Sequence, residues 1–594
     1  RTPLILVDGV ERDMHDLDPE NVESVSILKD ASATAVYGVR AANGVVLVTT
    51  RRGTVQKPVI EFKTEYGFSD LPSLPKYLDG ENYARLYNEA SGRENYSEEY
   101  IQNLKEGVDP LVYPNVDWFD ETFTDYSNNA QASLNIRGGG DVARYFVGLG
   151  YIGESRNFKN NPEADYKSNL GLQRYNFRSN IDVTLSQSTT LDLEVGGYLT
   201  DLHTPGIGGD IWGTNYSPAG ELFYGSNLAT PISNPVRIPI GEDVDGNVEY
   251  GWGAPTQVGE KNPAERLMGS GYNTEYRNQV LSQITLNQDL DNLIEGLKFK
   301  SSYSFDAYSA TTILRQKQST TYGVQGRDNN TGELQYSEVD KGQEFLSYSR
   351  ALSSNRAKEF KAQFIYNNSI NSIHRLGGMV MYYQRDYING NASTSILALP
   401  YRRQGIASRV TYDYDDRYFM EFNIGYNGSE NFPKKNRFGV FPAVAAGWLV
   451  SNEKFWNGDL KKIITILKLK GSYGLVGSEA LPGGERYGYL SIYGGGLGGY
   501  HFGETPKSYG GVGLNRIGVE DLTWEKGIKK NVGLEMLLLN GDISFEIDFF
   551  HEHRYDILLR RESLPAIVGI NSVPFANLGE MINKGFDGTL ELSK

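Results

Sequence analysis

The sequence predicts an all-β transmembrane protein, a large antiparallel β-barrel with a small α/β unit at its N-terminus. Three observations predict it. Alternating polarity recurs along most of the 594 residues, with one face apolar and the other often charged. Tight turns alternate with long Gly- and Pro-rich segments, the asymmetry expected of an outer-membrane barrel. No stretch reaches the roughly 18–20 consecutive apolar residues of a membrane helix. That leaves strands, which cross a bilayer while only half apolar.

Composition agrees. Hydrophobic residues make up 39% of the chain, while 67 glycines and 40 tyrosines favour strands and loops over helical bundles. A net charge of −16 argues against a nucleic-acid partner, because phosphate binding needs a basic surface. The chain has no cysteine, which removes disulfides, thiolate metal sites and cysteine nucleophiles, and fits an envelope protein. It begins at Arg1 rather than Met, so the start reads as an interior cut and the missing signal peptide carries no weight on export.

The first element is the strand-like Leu4-Ile5-Leu6-Val7. Val22 to Leu28 reads as a second strand. Asp30 suits the cap of a short helix from Ala31 to Tyr37, and Gly38 suits the left-handed residue that ends it. Asn43-Gly44 then turns into a strand from Val45 to Thr50. A wide barrel leaves an open lumen, and a unit of this kind can plug it. An ordinary βαβ fragment of a soluble domain has the same local chemistry.

The barrel elements follow. Val59 to Phe68 opens them. In Phe177–Leu185 the residues Phe177, Ile181, Val183 and Leu185 oppose Arg178, Asn180, Asp182 and Thr184. In Tyr418–Tyr426 the residues Tyr418, Met420, Phe422, Ile424 and Tyr426 share one face. Phe545, Ile547 and Phe549 do the same. Gly138 to Asp141, Asp415-Asp416 and Asn540-Gly541 are tight-turn chemistry. The long connections are read as Asp201–Gly271, Ser304–Gly342, Gly477–Asp521 and His553–Leu578. About fifteen to eighteen strands result, more than the usual ~2–10 of one sheet. Aromatic residues near strand ends, such as Tyr145, Tyr151, Tyr412 and Tyr418, suit an interfacial girdle. Both features disfavour a soluble β-sandwich, whose strands also alternate.

Several motifs carry no chemistry on inspection. His551 and His553 share a strand face with Phe549 and Ile547 and lack the helical spacing of a zinc site. Asp243–Asn247 resembles a calcium loop, but Val248 stands where glycine is needed and Ala254 where the closing glutamate is needed. Gly494–Gly499 satisfies GxGxxG with no helix after it. No GxSxG elbow or phosphate loop is present, and a hydrated lumen explains the paired carboxylates better than glycoside hydrolysis does. An enzyme is not expected, and neither is a cofactor or a metal.

The stretch "PLILVDGVERDMHDLDPENVESVSILKDASATAVYGVRAANGVVLVTTRRG" from Pro3 to Gly53 resembles the second half of the plug of TonB-dependent outer-membrane transporters, in the SusC/RagA-like branch of Bacteroidetes. In chain order, "YARLYNEA" (Tyr83–Ala90), "YPNVDWFDETF" (Tyr113–Phe123), "GGGDVARYFVGLGYIGE" (Gly138–Glu154), "YDDRYFMEFNIGYNGSENF" (Tyr414–Phe432), "RFGVFPAVAAGWLVSNEKF" (Arg437–Phe455), "TWEKGIKKNVGLEM" (Thr523–Met536) and "NLGEMINKGFDGTLEL" (Asn577–Leu592) are similar to segments of that family's barrel. The resemblance implies half a plug over 1–57 and part of a 22-stranded barrel over 58–594. The chain is thus expected to be a fragment with two unpaired strand edges. It also implies TonB-dependent nutrient import across the bacterial outer membrane with a SusD-like surface lipoprotein.

The expected ligand is an oligosaccharide, with a peptide, or a siderophore or cobalamin, as rivals. A passive porin or a surface adhesin is the alternative outside active transport. Asp30, Tyr37, Gly38, Asn43 and Gly44 are expected in the plug core. Trp212, Tyr216, Tyr224, Tyr250 and Trp252, in an outward loop, are the candidate contacts to substrate or lid, since flat aromatic faces stack on sugars. Those same rings could instead pack the loop.

Overall fold

A computed structural model describes all residues except 1–2, 15–16, 30–42, 72, 162–163, 169, 208–216, 256–260, 562–566, 568–572 and 594. The N-terminal unit has four strands: β1 (Leu4–Val7), β2 (Val10–Glu11), β3 (Val22–Leu28) and β4 (Val45–Thr50). Their order is β2-β1-β4-β3, with β1 parallel to β4 and the other pairs antiparallel. Leu4, Leu6 and Val45 form a small core, against which Leu28 and Leu47 pack. β3 and β4 have the bounds expected from the sequence. The expected helix, with Asp30, Tyr37 and Gly38, lies outside the described residues. Gly44 is at φ +95°, and its carbonyl accepts from the Leu4 amide at 3.0 Å, so this turn sets the β1–β4 register.

Beyond it lies one sixteen-stranded antiparallel sheet, from Gln56–Asp70 at one edge to Phe575–Leu592 at the other. The two edge strands are not paired with each other. The wall alternates as the sequence predicts: on Tyr418–Ser429 the side chains of Met420, Phe422 and Tyr426 are exposed, whereas Asn423 and Asn427 are buried facing the lumen. No described helix is long and apolar enough to cross a membrane.

The strands are longer than the alternation suggests. They run from 12 residues (Tyr418–Ser429) to 22 (Ser349–Ile370), where about 9–11 tilted residues suffice to span a bilayer. The expected loop starts are therefore corrected. Asp201 lies within the strand Thr189–Pro205, Ser304 within Leu297–Gln316, Gly477 within Ile464–Ser478 and His553 within Ile543–Arg560. The alternation marks the apolar band, while backbone pairing continues above it with polar residues on both faces.

Tight turns gather at one end of the sheet. Asp415 and Asp416 both have positive φ (55° and 51°) and are the central pair of a tight turn closed by the Arg417 amide on the Tyr414 carbonyl (3.0 Å). The other end carries the long connections, and these are packed. Helices α1 (Gly80–Ser91), α2 (Glu98–Glu106), α3 (Trp118–Thr122), α4 (Pro218–Leu228) and α5 (Pro263–Met268) lie there. Each is capped by a side chain at its N-terminus, from Asp79, Ser97, Asp117, Ser217 and Asn262 respectively. The segments Arg237–Glu242, Val248–Gly253, Thr321–Arg327 and Leu334–Asp340 form a separate sheet in that order. A large apolar cluster, including Trp118, Phe119, Phe123, Leu222, Trp252 and Leu267, sits in this outer layer. It replaces the loose loops that the Gly and Pro content suggests.

Candidate functional site

The N-terminal unit sits inside the curved sheet and is fixed to its lumen wall by polar contacts. The tight turn Asp8-Gly9 joins β1 to β2. Asp8 accepts from the Thr50 amide (2.9 Å) and hydroxyl (2.8 Å), and pairs with Arg178 on the wall (2.5 Å). Arg12 makes a bidentate pair with Asp306 (2.8 and 2.9 Å) and donates to the Ser282 carbonyl (3.2 Å). Arg52, just past β4, bridges Asp182 (2.9 Å) and Glu194. Asn180 donates to the Thr50 hydroxyl (3.0 Å) and the Arg51 carbonyl (2.7 Å). Asn43 accepts from Arg554 at 2.7 Å, which places this expected plug residue on the seam rather than in the unit's core.

At the tip of the unit, Glu11 pairs with Arg385 and with Arg403 (3.3 Å). Arg403 also holds Glu479, which follows the wall strand Ile464–Ser478 at the long-loop end. A line of alternating charge thus joins an outer loop, the wall and the inserted unit.

Such a seam differs energetically from a hydrophobic core. Desolvating two charges nearly cancels their attraction, so intact buried pairs add little net stability; removing one partner costs about 3–5 kcal/mol. The unit is thus held to the wall by specific polar contacts, while its own apolar core is small. Asp8, Glu11, Arg12 and Arg52 escaped the sequence reading. The only local signal was the Asp8-Gly9 turn dipeptide, because the partners lie up to 392 positions away.

The loop aromatics divide. Trp212 and Tyr216 lie outside the described residues. Tyr224 is half-buried on α4. Tyr250 is 48% exposed on the outer sheet. Trp252, two residues on, is 7% exposed, with the Arg237 guanidinium 4.4 Å from its ring centroid. It packs the loop layer.

The discounted motifs also have plain structural places. Asp243 caps a turn, accepting from the Asn247 side-chain amide (3.0 Å) and from the backbone amides of Asn247 (2.8 Å) and Asp245 (2.9 Å), and these bonds hold its carboxyl below the usual range. The glycine-rich run lies in the hairpin strand Ile492–Phe502. Among the described residues no three His, Asp or Glu side chains gather as a metal site would need.

Comparison with known proteins agrees with this architecture. The family model "TonB dependent receptor-like, beta-barrel" matches residues 234–593, and the "TonB-dependent Receptor Plug Domain" matches 1–45. TonB-dependent receptor P3 of Formosa agariphila is 27% identical over 98% of this chain and 54% of its own length. TonB-dependent receptor SusC of Bacteroides thetaiotaomicron is 25% identical over 98% of this chain and 56% of its own. The chain thus spans about half the length of these relatives. The RagAB peptide transporter superposes with a TM-score of 0.74 at 21% identity, covering 99% of this chain and 65% of that one, which shows a shared fold. Matches to the plug and the barrel in chain order, with a plug held in the lumen of an antiparallel sheet, lead to one conclusion: the chain belongs to the TonB-dependent receptors, an outer-membrane family of transporters and receptors rather than enzymes, in the SusC/RagA-like branch.

Proposed function

We propose that this chain forms part of an active importer that carries an oligosaccharide across the bacterial outer membrane. The TonB complex pulls the plug and a SusD-like lipoprotein covers the outer loops. The observation that carries this reading is the seam. A plug fixed by ion pairs, with a small core of its own, suits withdrawal under force and return. A passive porin or a surface adhesin has no use for such a plug. The packed outer layer, with Tyr250 half-exposed, offers a lid or a ligand a shaped surface.

This chain carries no cysteine of its own, so a pair introduced into it gives a direct test. Thr50→Cys and Asn180→Cys stand where side chains now meet at 3.0 Å across the seam. In the complete transporter, oxidation of this pair is expected to abolish uptake of labelled oligosaccharide, and reduction to restore it. Uptake is also expected to stop in cells lacking TonB. Uptake that survives both would overturn active import. Transport of labelled peptides or siderophores in place of glycans would leave active import standing and correct the ligand. A peptide is the second reading, on the strength of the likeness to the RagAB peptide transporter.

A further inference from the structure

The geometry points to a second saccharide-binding site, apart from the lumen, in a cavity of about 560 Å³ within the outer loop layer. Three connections build it. Glu94, Tyr96 and Tyr100 come from the α1–α2 unit, Thr230 and Ile232 from the segment after α4, and Val324 from the outer sheet. The volume lies within the range of about 300–1,000 Å³ typical of small-molecule sites.

The walls are preformed. Asn88 accepts from the amides of Asn95 (2.8 Å) and Tyr96 (3.0 Å) and donates to the Tyr96 carbonyl (2.6 Å), which fixes the turn carrying Glu94. Tyr96 and Tyr100 stack at 5.5 Å between ring centroids. The Thr230 carbonyl accepts from the Trp118 indole at 2.9 Å, and Asp109 pairs with Arg327 across the same junction (2.5 Å).

Two polar groups at the cavity are without protein partners. The Thr230 hydroxyl oxygen is buried with no hydrogen bond. Glu94, at the rim, makes no hydrogen bond or ion pair among the described residues. A buried hydroxyl without a partner costs about 1–3 kcal/mol, a cost that a ligand hydroxyl would remove. The remaining lining mixes tyrosine and apolar surface with Asn95, Ser97, Ser233 and Asn234, and holds no lysine, arginine or histidine. This suits a neutral sugar, with rings against tyrosine and hydroxyls on Glu94 and Thr230. A peptide's terminal carboxylate would find no cation. The inference rests on the importer reading only for its choice of ligand class.

Hydrogen–deuterium exchange on the complete transporter tests the site locally, whatever binds in the lumen. The probes are maltotriose, cellotriose, laminaritriose and chitotriose, with trialanine as the peptide probe. At least one trisaccharide is expected to slow exchange in residues 93–101 and 229–235. The midpoint should rise about threefold to tenfold in Thr230→Val and in Glu94→Ala, each removing one hydrogen-bonding group. Protection should vanish in Val324→Trp, which fills the cavity. No protection by any trisaccharide, protection unchanged in all three variants, or protection by trialanine alone would overturn the proposal. TonB dependence of uptake is measured separately, so saccharide protection at these segments supports the site even if import proves passive.

Discussion

Asp8 shows how much of the plug seam rests on single side chains. It is buried at a left-handed turn position (φ 50°), holds both donors of Thr50, and is the partner of an equally buried Arg178. Asp8→Asn keeps the size and one acceptor but leaves the guanidinium without its counter-charge. A loss of about 3 kcal/mol is expected. It should appear as exchange of the Thr50 amide accelerated on the order of a hundredfold in the complete transporter. Unchanged exchange would show that the pair does not fix the plug. The same reasoning sorts the loop aromatics. Trp252→Ala empties a packed site and is expected to cost about 3–5 kcal/mol of loop-layer stability, read as lost protection of the outer sheet with the barrel unaffected. A binding defect in that variant would therefore report loop collapse. Tyr250→Ala, at a half-exposed position, is the informative substitution: protection of the outer sheet should stay unchanged, so any loss of glycan affinity reads contact.

Among the elements, the α1–α2 unit is joined to the outer sheet through Asp109 and Arg327. The hydrogen bond from Arg327 holds the Asp109 carboxyl below its ordinary range. A carboxyl depressed in the folded state adds stability that is complete above its unfolded value of about 3.9 and is lost as pH falls through the lower folded value. Protection of residues 98–112 is therefore expected to be level from pH 7 to about 5 and to fall only in stronger acid. In Asp109→Asn the acid-sensitive part should disappear. Both groups meet solvent, so the effect should be small and should shrink with added salt. Helices α1 and α2 were legible in the sequence as Asp79 and Ser97 caps with glycine at the far ends. The barrel pattern on either side drew the reading away from them.

On the scale of the molecule, the sheet presents two unpaired edges, Gln56–Asp70 and Phe575–Leu592. Exposed edge amides and carbonyls are costly in lipid, which offers no hydrogen bonds. When the 594-residue chain is folded alone into vesicles, these two strands are expected to exchange fastest of the sixteen. Slow, equal exchange across all sixteen would mean that the edges find partners, in another copy or in each other. The outer layer should be the most protected part outside the wall, because its apolar cluster is larger than that of the plug.

What the sequence determined by itself was everything with a local period or a local turn. β3 and β4, the outward face of Tyr418–Ser429 and the Asp415-Asp416 turn follow from side-chain alternation and from residues that tolerate positive φ. The many strands with tight turns at one end and long connections at the other decided the architecture. Tertiary structure alone decided which charges meet. Asp8 and Arg178 stand 170 positions apart, and Arg12 and Asp306 stand 294 apart. It alone put Trp252 under Arg237 and paired Trp252 and Gly253 in parallel with Thr321 and Tyr322 to build the outer sheet. Long-range pairing leaves no periodic trace along the chain. A lumen-facing arginine has the same local pattern whether it meets water or a plug carboxylate, and only the folded wall brings that carboxylate within reach.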